Sequence, residues 1–481
     1  MTSPRKLLTL ESLSAAVTDI RVPLLGSLSV RAAEVQRELQ EGAVKPFEEL
    51  AACHLGDPHA TGQRPCTFLR QVAALCSYPA LLDSDVFPED AKNKAKAIMR
   101  TLDGGSVGSY NPGYTSQTLP RKIARFIERR DGAPCDPRNV IVSGGATEAI
   151  VSVLALVVNE EEPLKTGIMV SAPRCPLYPD VIAMCGAVVV EYELDEERGW
   201  SLNADNIRRS LSAARRRCQP KVLCVINPGD PTGRVESREG IEEVIRLAAE
   251  VNLLLFADEV YQEDVFGAGA AFHSFKKVLC EMGPPYSEQI QLVSVNSISK
   301  GVFGECGLRG GYVEFVNIDP SVFEKLYVLK SFNLPNVLGS LALEVLVDPP
   351  QPGDPSYGTF IQERQTVLSN LAEKARLTEE ILNRAPGIRC NPAQGAIYSF
   401  PRIEIPDKAM KLAEARGMEP DTFFCHQLLE DTGIVLAAGS SFGQAEGTHH
   451  IRVTLLPPVE KLTNILKKIV EFHGSFMRKY S

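Results

Sequence analysis

The chain has 481 residues, of which 44% are hydrophobic and 23% charged, and its formal net charge at pH 7 is −9. This length exceeds what one hydrophobic core usually accommodates, so we expect two domains. The acidic balance argues against a nucleic-acid partner. Because no apolar run reaches the roughly 20 residues of a membrane span, we expect no membrane partner either.

The 12 cysteines form no C-x-x-C pair, and neither they nor the seven histidines have the spacing of a zinc site. We therefore expect free thiols, a reducing compartment and no bound metal. The N-terminal residues mix Arg5 and Lys6 with Glu11 and Asp19, unlike the acid-poor presequence of an organelle. This mixture predicts a cytoplasmic protein.

The first hundred residues are mixed and mostly helical. From Asn139 to Phe315, short β-branched runs alternate with longer amphipathic segments; the runs are NVIVS, GIMVSA, AVVVEYEL, KVLCVIN, LLLFAD, QLVSV and GGYVEFV. Continuous apolar strands separated by helices predict an α/β fold, with a mostly parallel sheet covered by helices on both faces. Ligands of such sheets bind beyond the carboxyl ends of the strands, so a motif that carries chemistry should directly follow a strand.

Residues 349–358, PPQPGDPSYG, interrupt this alternation with prolines and glycines, and we place a domain boundary there. A long helical segment, short strands and a closing helix follow, which predict a smaller α+β domain. The predicted division is residues 1–95 as an N-terminal arm and part of the small domain, 96–350 as the large domain, and 351–481 as the C-terminal small domain.

Two glycine-containing motifs follow predicted strands. Ser143-Gly144-Gly145-Ala146-Thr147 lies between a strand and a helix, where backbone N–H groups can bind an anion; an ordinary capped turn is the alternative. Asn227-Pro228-Gly229-Asp230-Pro231-Thr232-Gly233 is stiffened by two prolines, which suits the presentation of side chains to a flat ligand. A well-made connection between elements explains the second motif equally simply.

Two further motifs supply ionisable groups. Asp258-Glu259-Val260-Tyr261 ends a buried strand, where a carboxylate needs a partner; a ligand cation and a helix cap are both compatible. Ser297-Ile298-Ser299-Lys300 precedes a glycine-rich loop with Arg309. A lysine in such a loop can have a lowered pKa and form an imine, although a structural role is also open. Together the four motifs supply what an aldehyde cofactor with a phosphate and a pyridine ring requires.

The segments S-x-S-K-G-x-x-G-E-C-G-x-R-G-G-Y, NPG-x-PTG, ADEVYQ and SFKKVL-x-EMGP resemble those of the alanine aminotransferases, within the class I/II aminotransferases, and similar stretches extend over nearly the whole chain. The resemblance implies a fold type I enzyme that uses pyridoxal 5′-phosphate, with residues 96–350 as the cofactor-binding domain. It also implies a homodimer with sites at the subunit interface. Its reaction would convert L-alanine and 2-oxoglutarate, a small amino acid and a 2-oxo acid, to pyruvate and L-glutamate.

The resemblance also implies the role of individual residues. Lys300 would hold the cofactor covalently and then move the α-proton of the substrate. Asp258 would keep the pyridine nitrogen protonated, and Tyr261 would donate a hydrogen bond to the ring oxygen. Arg452 would bind the substrate α-carboxylate. The phosphate would be held by Gly145, Ala146, Thr147, Ser297 and Arg309, and by Tyr110 of the neighbouring subunit.

Two residues depart from the family at the cofactor. Asp230 stands where the family has an asparagine that donates to the ring oxygen, and an ionised aspartate can only accept. Repulsion from the ring oxygen would be about 4 kcal/mol at about 4 Å. Cys175 stands where a family tyrosine stacks on the ring, which removes about 1 kcal/mol of stacking. We still predict that Cys175 contacts the cofactor, and that Asp230 contacts both cofactor and substrate.

Three segments that border the substrate also differ from the family, namely NPGYT after Tyr110, SFNLPNVLGS and RVPLLGSL. The alternatives to an active transaminase are therefore a catalytically impaired paralogue with a binding or regulatory role, and an enzyme of altered substrate or reaction. Retention of Lys300 and Arg452 favours transamination. The hydrolase pattern G-x-S-x-G at residues 439–443 is rejected, because a turn and a strand, not a helix, are predicted after it.

Overall fold

The computed structural model describes residues 26–159 and 161–481, together with residues 9, 12, 13 and 18. Residues 21–25 of the segment RVPLLGSL therefore lie outside the described residues, as does most of the N-terminal stretch used to predict the compartment. The α-helices, in chain order, are α1 (Gly26–Gln40), α2 (Thr67–Ser77), α3 (Glu89–Met99), α4 (Leu119–Asp131), α5 (Ala146–Val157), α6 (Leu177–Met184), α7 (Ala204–Ala214), α8 (Arg238–Val251), α9 (Phe275–Met282), α10 (Tyr286–Gln289), α11 (Pro320–Ser331), α12 (Val337–Val347), α13 (Tyr357–Leu382), α14 (Asp407–Ala415), α15 (Pro420–Thr432) and α16 (Val459–Tyr480).

Strands of two to eight residues lie between groups of these helices. They are β1 (Ala51–Ala52), β2 (Val140–Ser143), β3 (Thr166–Ala172), β4 (Val188–Glu193), β5 (Gln219–Ile226), β6 (Leu254–Asp258), β7 (Leu292–Ser297), β8 (Gly311–Val316), β9 (Ile388–Arg389), β10 (Tyr398–Ser399), β11 (Arg402–Ile403), β12 (Ile434–Val435), β13 (Ala437–Ala438) and β14 (Ile451–Thr454). The seven apolar runs identified in the sequence correspond to β2 through β8.

A seven-stranded sheet forms the centre of the molecule, in the order β2-β8-β7-β6-β5-β3-β4. Strand β8 is antiparallel to both of its neighbours, and the other strands share one direction. The prediction of a mostly parallel sheet is therefore confirmed. Because the parallel strands point the same way, their carboxyl ends lie along one edge of the sheet.

Helices cover both faces of this sheet. Alternate residues of each strand point to opposite sides, so neighbouring residues of one strand pack against different helices. On β3, Met169 packs with side chains of α7, α8 and α9. Its neighbours Ile168 and Val170 pack with α5, α6 and α11 on the other side. All seven residues of β3 are buried. This two-sided burial explains why the strands read as continuous apolar runs.

The C-terminal part combines helices with small antiparallel sheets. Strand β14 lies between β10 and β13, and β9 pairs with β11. Strand β1 adds to this part by parallel pairing with β12, and Cys53 shares a hydrophobic core with residues of α15 and α16. The proposed domain boundaries at residues 95 and 350 stay a prediction. The β1–β12 pairing supports the assignment of part of the N-terminal segment to the small domain.

All 12 cysteines are free thiols. Within the described residues, none of the helices combines the length and apolar character needed to cross a bilayer. A group of three or more histidine, cysteine, aspartate or glutamate side chains able to hold a metal ion is likewise not found in residues 26–159 and 161–481 or at the few described positions before them.

Candidate active site

The four motifs lie together at the carboxyl edge of the sheet. Strand β2 ends at Ser143, β5 at Ile226, β6 at Asp258 and β7 at Ser297. Each motif begins at or directly after the last residue of its strand. The edge therefore collects one glycine loop, one proline-rich loop, a carboxylate and a lysine in a single region, as the ligand rule for open α/β sheets requires.

A cradle for an anion forms where β2 leads into α5. Gly145 precedes the helix with a φ of 99°, a conformation that favours glycine. A Cβ atom at Gly145 would lie 2.5 Å from Nη2 of Arg309, so the guanidinium closes directly against this loop. Ala146 and Thr147 begin the helix, where backbone N–H groups lack partners within the helix and the dipole favours negative charge. These features suit a phosphate group.

Arg309 is held in this position by neutral acceptors. Its Nη1 donates to Cys306 O at 2.8 Å and to Ser299 Oγ at 3.3 Å. Ser297, which the sequence predicted as a phosphate ligand, is buried at the end of β7, and its hydroxyl accepts from the backbone N–H of Ser299. The structure therefore adds Ser299 to the cradle, a residue that the sequence analysis did not single out.

Asp258 is buried at the end of β6. The Tyr178 hydroxyl donates to its Oδ2 at 2.7 Å, and the backbone N–H of Val260 approaches Oδ1 at 3.4 Å. Burial raises the pKa of Asp258 to about 6, although the hydrogen bond from Tyr178 lowers it. The carboxylate is thus ionised at neutral pH and available to a ring cation. Tyr178 had been given no role from the sequence.

Lys300 follows β7 and points to the N-terminal part of the chain. Its Nζ donates to Gly56 O at 2.6 Å. Burial lowers the pKa of Lys300, but the nearby Tyr398, Cys306 and Asp230 together raise it above its ordinary value. The pKa of Lys300 is therefore raised, the opposite direction from the lowering that the sequence left open.

Gly56 allows two functional groups to approach each other. A Cβ atom there would lie 1.8 Å from the hydroxyl oxygen of Tyr398 and 3.0 Å from Nζ of Lys300. No other residue type fits at this position without displacing one of them. Neither Gly56 nor Tyr398 was identified as a site residue from the sequence.

Arg452, on β14, is buried and packs against two aromatic rings. Its Cζ lies 3.9 Å from the ring centre of Tyr398 and 4.6 Å from that of Phe442. Its Nη1 donates to Asp230 Oδ1 at 3.0 Å, and its Nη2 donates to His54 O at 2.8 Å. Its Nε is buried with no hydrogen-bond partner among the described residues.

Asp230 bridges two predicted site residues. Besides the ion pair with Arg452, it accepts a hydrogen bond from the Tyr261 hydroxyl at 3.3 Å. Cys175 lies close by and is half-buried, and burial, followed by the charge of Asp230, raises the pKa of this thiol to about 12. The thiol is therefore uncharged at neutral pH. The sequence predicted all four of these residues at the site but not the Asp230–Arg452 contact.

Two remaining predictions concern the surroundings of the site. Tyr110 is 84% exposed, and its contact with a neighbouring subunit stays a prediction. The segment SFNLPNVLGS spans the end of α11 and the start of α12, and Gly339 within it packs against the backbone of Arg309. A Cβ atom at Gly339 would lie 2.4 Å from Arg309 O. This segment, which differs from the family, therefore packs against the backbone of Arg309 in the anion cradle.

The hydrolase pattern at residues 439–443 does not form a nucleophile elbow. Ser441 lies in a single 3-10 turn, Gly439–Phe442, and the described residues 443–450 contain no α-helix before β14 begins at Ile451. An elbow requires a strand, the serine and a helix in immediate succession.

Comparison with known proteins gives consistent results. The family model for aminotransferase class I and II matches residues 72–469. The chain is 53% identical to alanine aminotransferase 2 of Xenopus laevis, over 99% of this chain and 88% of that protein. It is 51% identical to alanine aminotransferase 1 of Homo sapiens, over 99% of this chain and 96% of that protein. An alanine aminotransferase structure from Pyrococcus furiosus shares the fold, with a TM-score of 0.74 at 22% identity, covering 97% of this chain and all of that one.

The side chains at the edge of the sheet fit pyridoxal 5′-phosphate. The closure of Arg309 onto Gly145 leaves a cationic cradle at the start of α5 for the phosphate. Asp258 offers a carboxylate to the ring nitrogen, and Lys300 offers an amine to the aldehyde. The fold, the fit of the site and the match over most of the length agree: the chain is a pyridoxal-phosphate-dependent enzyme that belongs to the aminotransferase class I and II family.

Proposed function

We propose that the protein transfers the amino group of L-alanine to 2-oxoglutarate, giving pyruvate and L-glutamate. We further propose that it acts as a cytoplasmic homodimer in which Tyr110 reaches the phosphate site of the neighbouring subunit. The relatives that bear the name alanine aminotransferase, at 51–53% identity over 99% of this chain, support the choice of substrates.

One observation carries the proposal. The ring of Tyr398 stacks on the guanidinium of Arg452, while its hydroxyl meets Lys300 at the face of Gly56. A single tyrosine therefore spans the distance between the cation and the amine. An α-amino acid carries its carboxylate and its α-hydrogen on the same carbon, so one molecule bound between these two side chains presents both groups to them. Arg452 and Lys300 are thus placed to bind the carboxylate and to move the α-proton of one substrate molecule.

Each residue then has a defined task. The cofactor, when bound, supplies an aldehyde and an electron-withdrawing ring that makes the α-hydrogen of an amino acid acidic. Lys300 takes the proton from the α-carbon and returns it during the reaction. Asp258, supported by Tyr178, holds a proton at the ring nitrogen. Arg452 orients the substrate, and its aromatic neighbours exclude water from the guanidinium faces.

The ion pair between Asp230 and Arg452 favours a second candidate, a paralogue with impaired catalysis and a binding or regulatory role. The carboxylate of Asp230 takes one side of the arginine that the substrate needs. In such a protein Lys300 and the phosphate cradle would still hold the cofactor. The two candidates differ in the response of the bound cofactor to an amino acid.

The experiment is an absorption spectrum of the purified protein with bound pyridoxal phosphate, before and after addition of L-alanine. We expect the visible band to disappear with alanine and to return with 2-oxoglutarate. A band that persists with L-alanine and with a panel of other amino acids would contradict transamination and support the paralogue.

Lys300→Ala tests the covalent attachment. After borohydride reduction, the variant should carry no cofactor, because the amine that reacts with the aldehyde is gone. The matched control is Lys374→Met, since Lys374 is also buried and its pKa is lowered to about 8 by burial. Reduced cofactor on the Lys300→Ala protein, lost only when Lys374 is also replaced, would show that the attachment site is wrong.

A further inference from the structure

A groove outside the cofactor site runs along one face of α13. On this helix its lining includes Glu363, Val367, Leu371 and Lys374. These residues are three or four positions apart, which is the spacing of one face of an α-helix. The groove has a volume of about 460 Å³, within the usual range of small-molecule sites. Of the described residues that were assigned to the cofactor or the substrate, none lines this α13 groove.

Lys374 lies at the buried side of the α13 groove, with 7% of its surface exposed. Its Nζ donates to Leu456 O at 3.1 Å, and it forms no ion pair with any described residue. Burial lowers the pKa of Lys374 to about 8. A protonated amine has three hydrogens to donate, and a buried cation costs free energy unless an anion accompanies it. The deep side of the groove therefore presents a cation without a counter-ion in the described part of the chain.

Glu363, an acidic residue in the lining, does not supply that counter-ion. Its carboxylate accepts from the backbone N–H of Thr67 at 3.1 Å and from the Thr67 hydroxyl. Glu363 precedes Lys374 by three turns of α13, which places it about 16 Å away along the helix axis. Arg64, exposed at the mouth of the groove, adds positive charge. The electrostatics around Lys374 therefore favour an anionic ligand.

The walls beside Lys374 are apolar. Leu371 and Leu456 are buried there, and Val367 and Val302 continue the surface toward the mouth. One cation next to hydrocarbon walls fits one negative charge on an apolar body. We propose that the α13 groove is a second ligand site, in which Lys374 binds the carboxylate of a short-chain monocarboxylic acid and the walls bind its hydrocarbon chain.

This groove shares structural elements with the active site. Leu371 and Leu456 belong to the same hydrophobic cluster as Tyr398, whose hydroxyl approaches Lys300 at Gly56. A ligand in the groove therefore packs against the side chains that support Tyr398. The groove is an additional site, and its occupation does not require the proposed transamination.

The test measures the reactivity of Lys374 itself. The probe is hexanoate, and hexanamide is its uncharged counterpart. The cofactor-loaded protein is treated with cyanate, whose acid form adds to an amine to give a urea, and the modification of each lysine is followed by mass spectrometry of its peptide. We expect hexanoate, at about ten times its Kd, to slow the reaction of Lys374 roughly tenfold, because about one groove in eleven then stays empty. Hexanamide should leave the rate unchanged, as should both probes at the exposed Lys467.

Two variants distinguish binding in the groove from binding at Arg452. Val367→Asp places a negative charge on the wall of the groove and should reduce the protection by hexanoate, since it repels the carboxylate and disfavours the hydrocarbon chain. Gln365→Asp adds the same charge to the same helix at an exposed position outside the groove lining, and its protection should equal that of the parent.

Each of three results would overturn the proposal. Lys374 that does not react with cyanate in the absence of hexanoate would show that the groove does not admit small molecules. Equal protection by hexanoate and hexanamide, or by neither, would show that Lys374 binds no carboxylate. Full protection of the Val367→Asp protein would place the bound hexanoate elsewhere. Because no amino group is transferred in these measurements, they are independent of the reaction of the protein with L-alanine.

Discussion

Two arginines mark the opposite ends of the site, and they are in different electrostatic states. Arg309, at the phosphate cradle, donates to the neutral Ser299 and Cys306 and forms no ion pair with any described residue. Arg452, at the substrate end, is paired with the Asp230 carboxylate. The charge of Arg309 is therefore available to an external anion. The charge of Arg452 is largely balanced by the carboxylate of Asp230, a residue of the protein itself. The phosphate cradle therefore offers an unpaired cation to the cofactor. At the substrate-binding arginine, Asp230 stands where the family has an asparagine.

The largest expected effect tests the ion pair between Asp230 and Arg452. Arg452→Met leaves Asp230 buried without its ion-pair partner, which should lower the free energy of unfolding by about 3–5 kcal/mol. The double variant Arg452→Met, Asp230→Asn removes the unpaired charge and should recover most of that loss. Urea unfolding followed by circular dichroism measures both. Equal stability of the single and double variants would mean that the two side chains do not form an ion pair in solution.

The next effect tests the other arginine. Arg309→Gln removes the charge from the phosphate cradle and should weaken pyridoxal phosphate binding roughly 100-fold, as expected for hydrogen bonds to a charged group. Its stability should change less than that of Arg452→Met, because no buried carboxylate is left behind. Cofactor titration monitored by fluorescence gives the Kd. Arg138→Gln, at an exposed position, serves as control. An unchanged Kd for the Arg309 variant would remove this arginine from the cradle.

The smallest expected effect concerns Cys175 and stacking on the pyridine ring of the cofactor. Cys175→Tyr restores the side chain that stacks on the ring in the family and should tighten cofactor binding about fivefold, equivalent to about 1 kcal/mol. Cys175→Ala should leave the affinity close to that of the parent. The same fluorescence titration measures all three proteins. If the tyrosine variant binds no more tightly than the alanine variant, position 175 does not face the ring.

Much of the architecture was accessible from the sequence because burial on both faces of a parallel sheet leaves a strong pattern. Continuous apolar runs identified β2 to β8, and the rule that ligands bind at carboxyl ends directed attention to Ser143, Asp258 and Lys300. These residues are local to their strands, so strand prediction was enough to bring them together.

The remainder of the site depends on contacts between distant segments, which leave no local signal. Tyr398 and Gly56 come from the C-terminal and N-terminal parts of the chain and meet only at Lys300. The Asp230–Arg452 pair was missed for the same reason, although each residue was predicted alone. The direction of the Lys300 pKa could not be obtained from the sequence either, because the sequence gives the loop around the lysine but not the groups that other elements bring to it.

The backbone carbonyls of His54 and Gly56 have a consequence for the order of synthesis. His54 O accepts from Arg452, 398 positions later in the chain, and Gly56 O accepts from Lys300. At about 5–20 residues per second, the ribosome needs roughly 20 to 80 s to make the chain between His54 and Arg452. During that time the N-terminal segment is complete but lacks its last partner. The nascent chain therefore cannot assemble a working site until its final strand is released, which delays activity until translation is nearly finished.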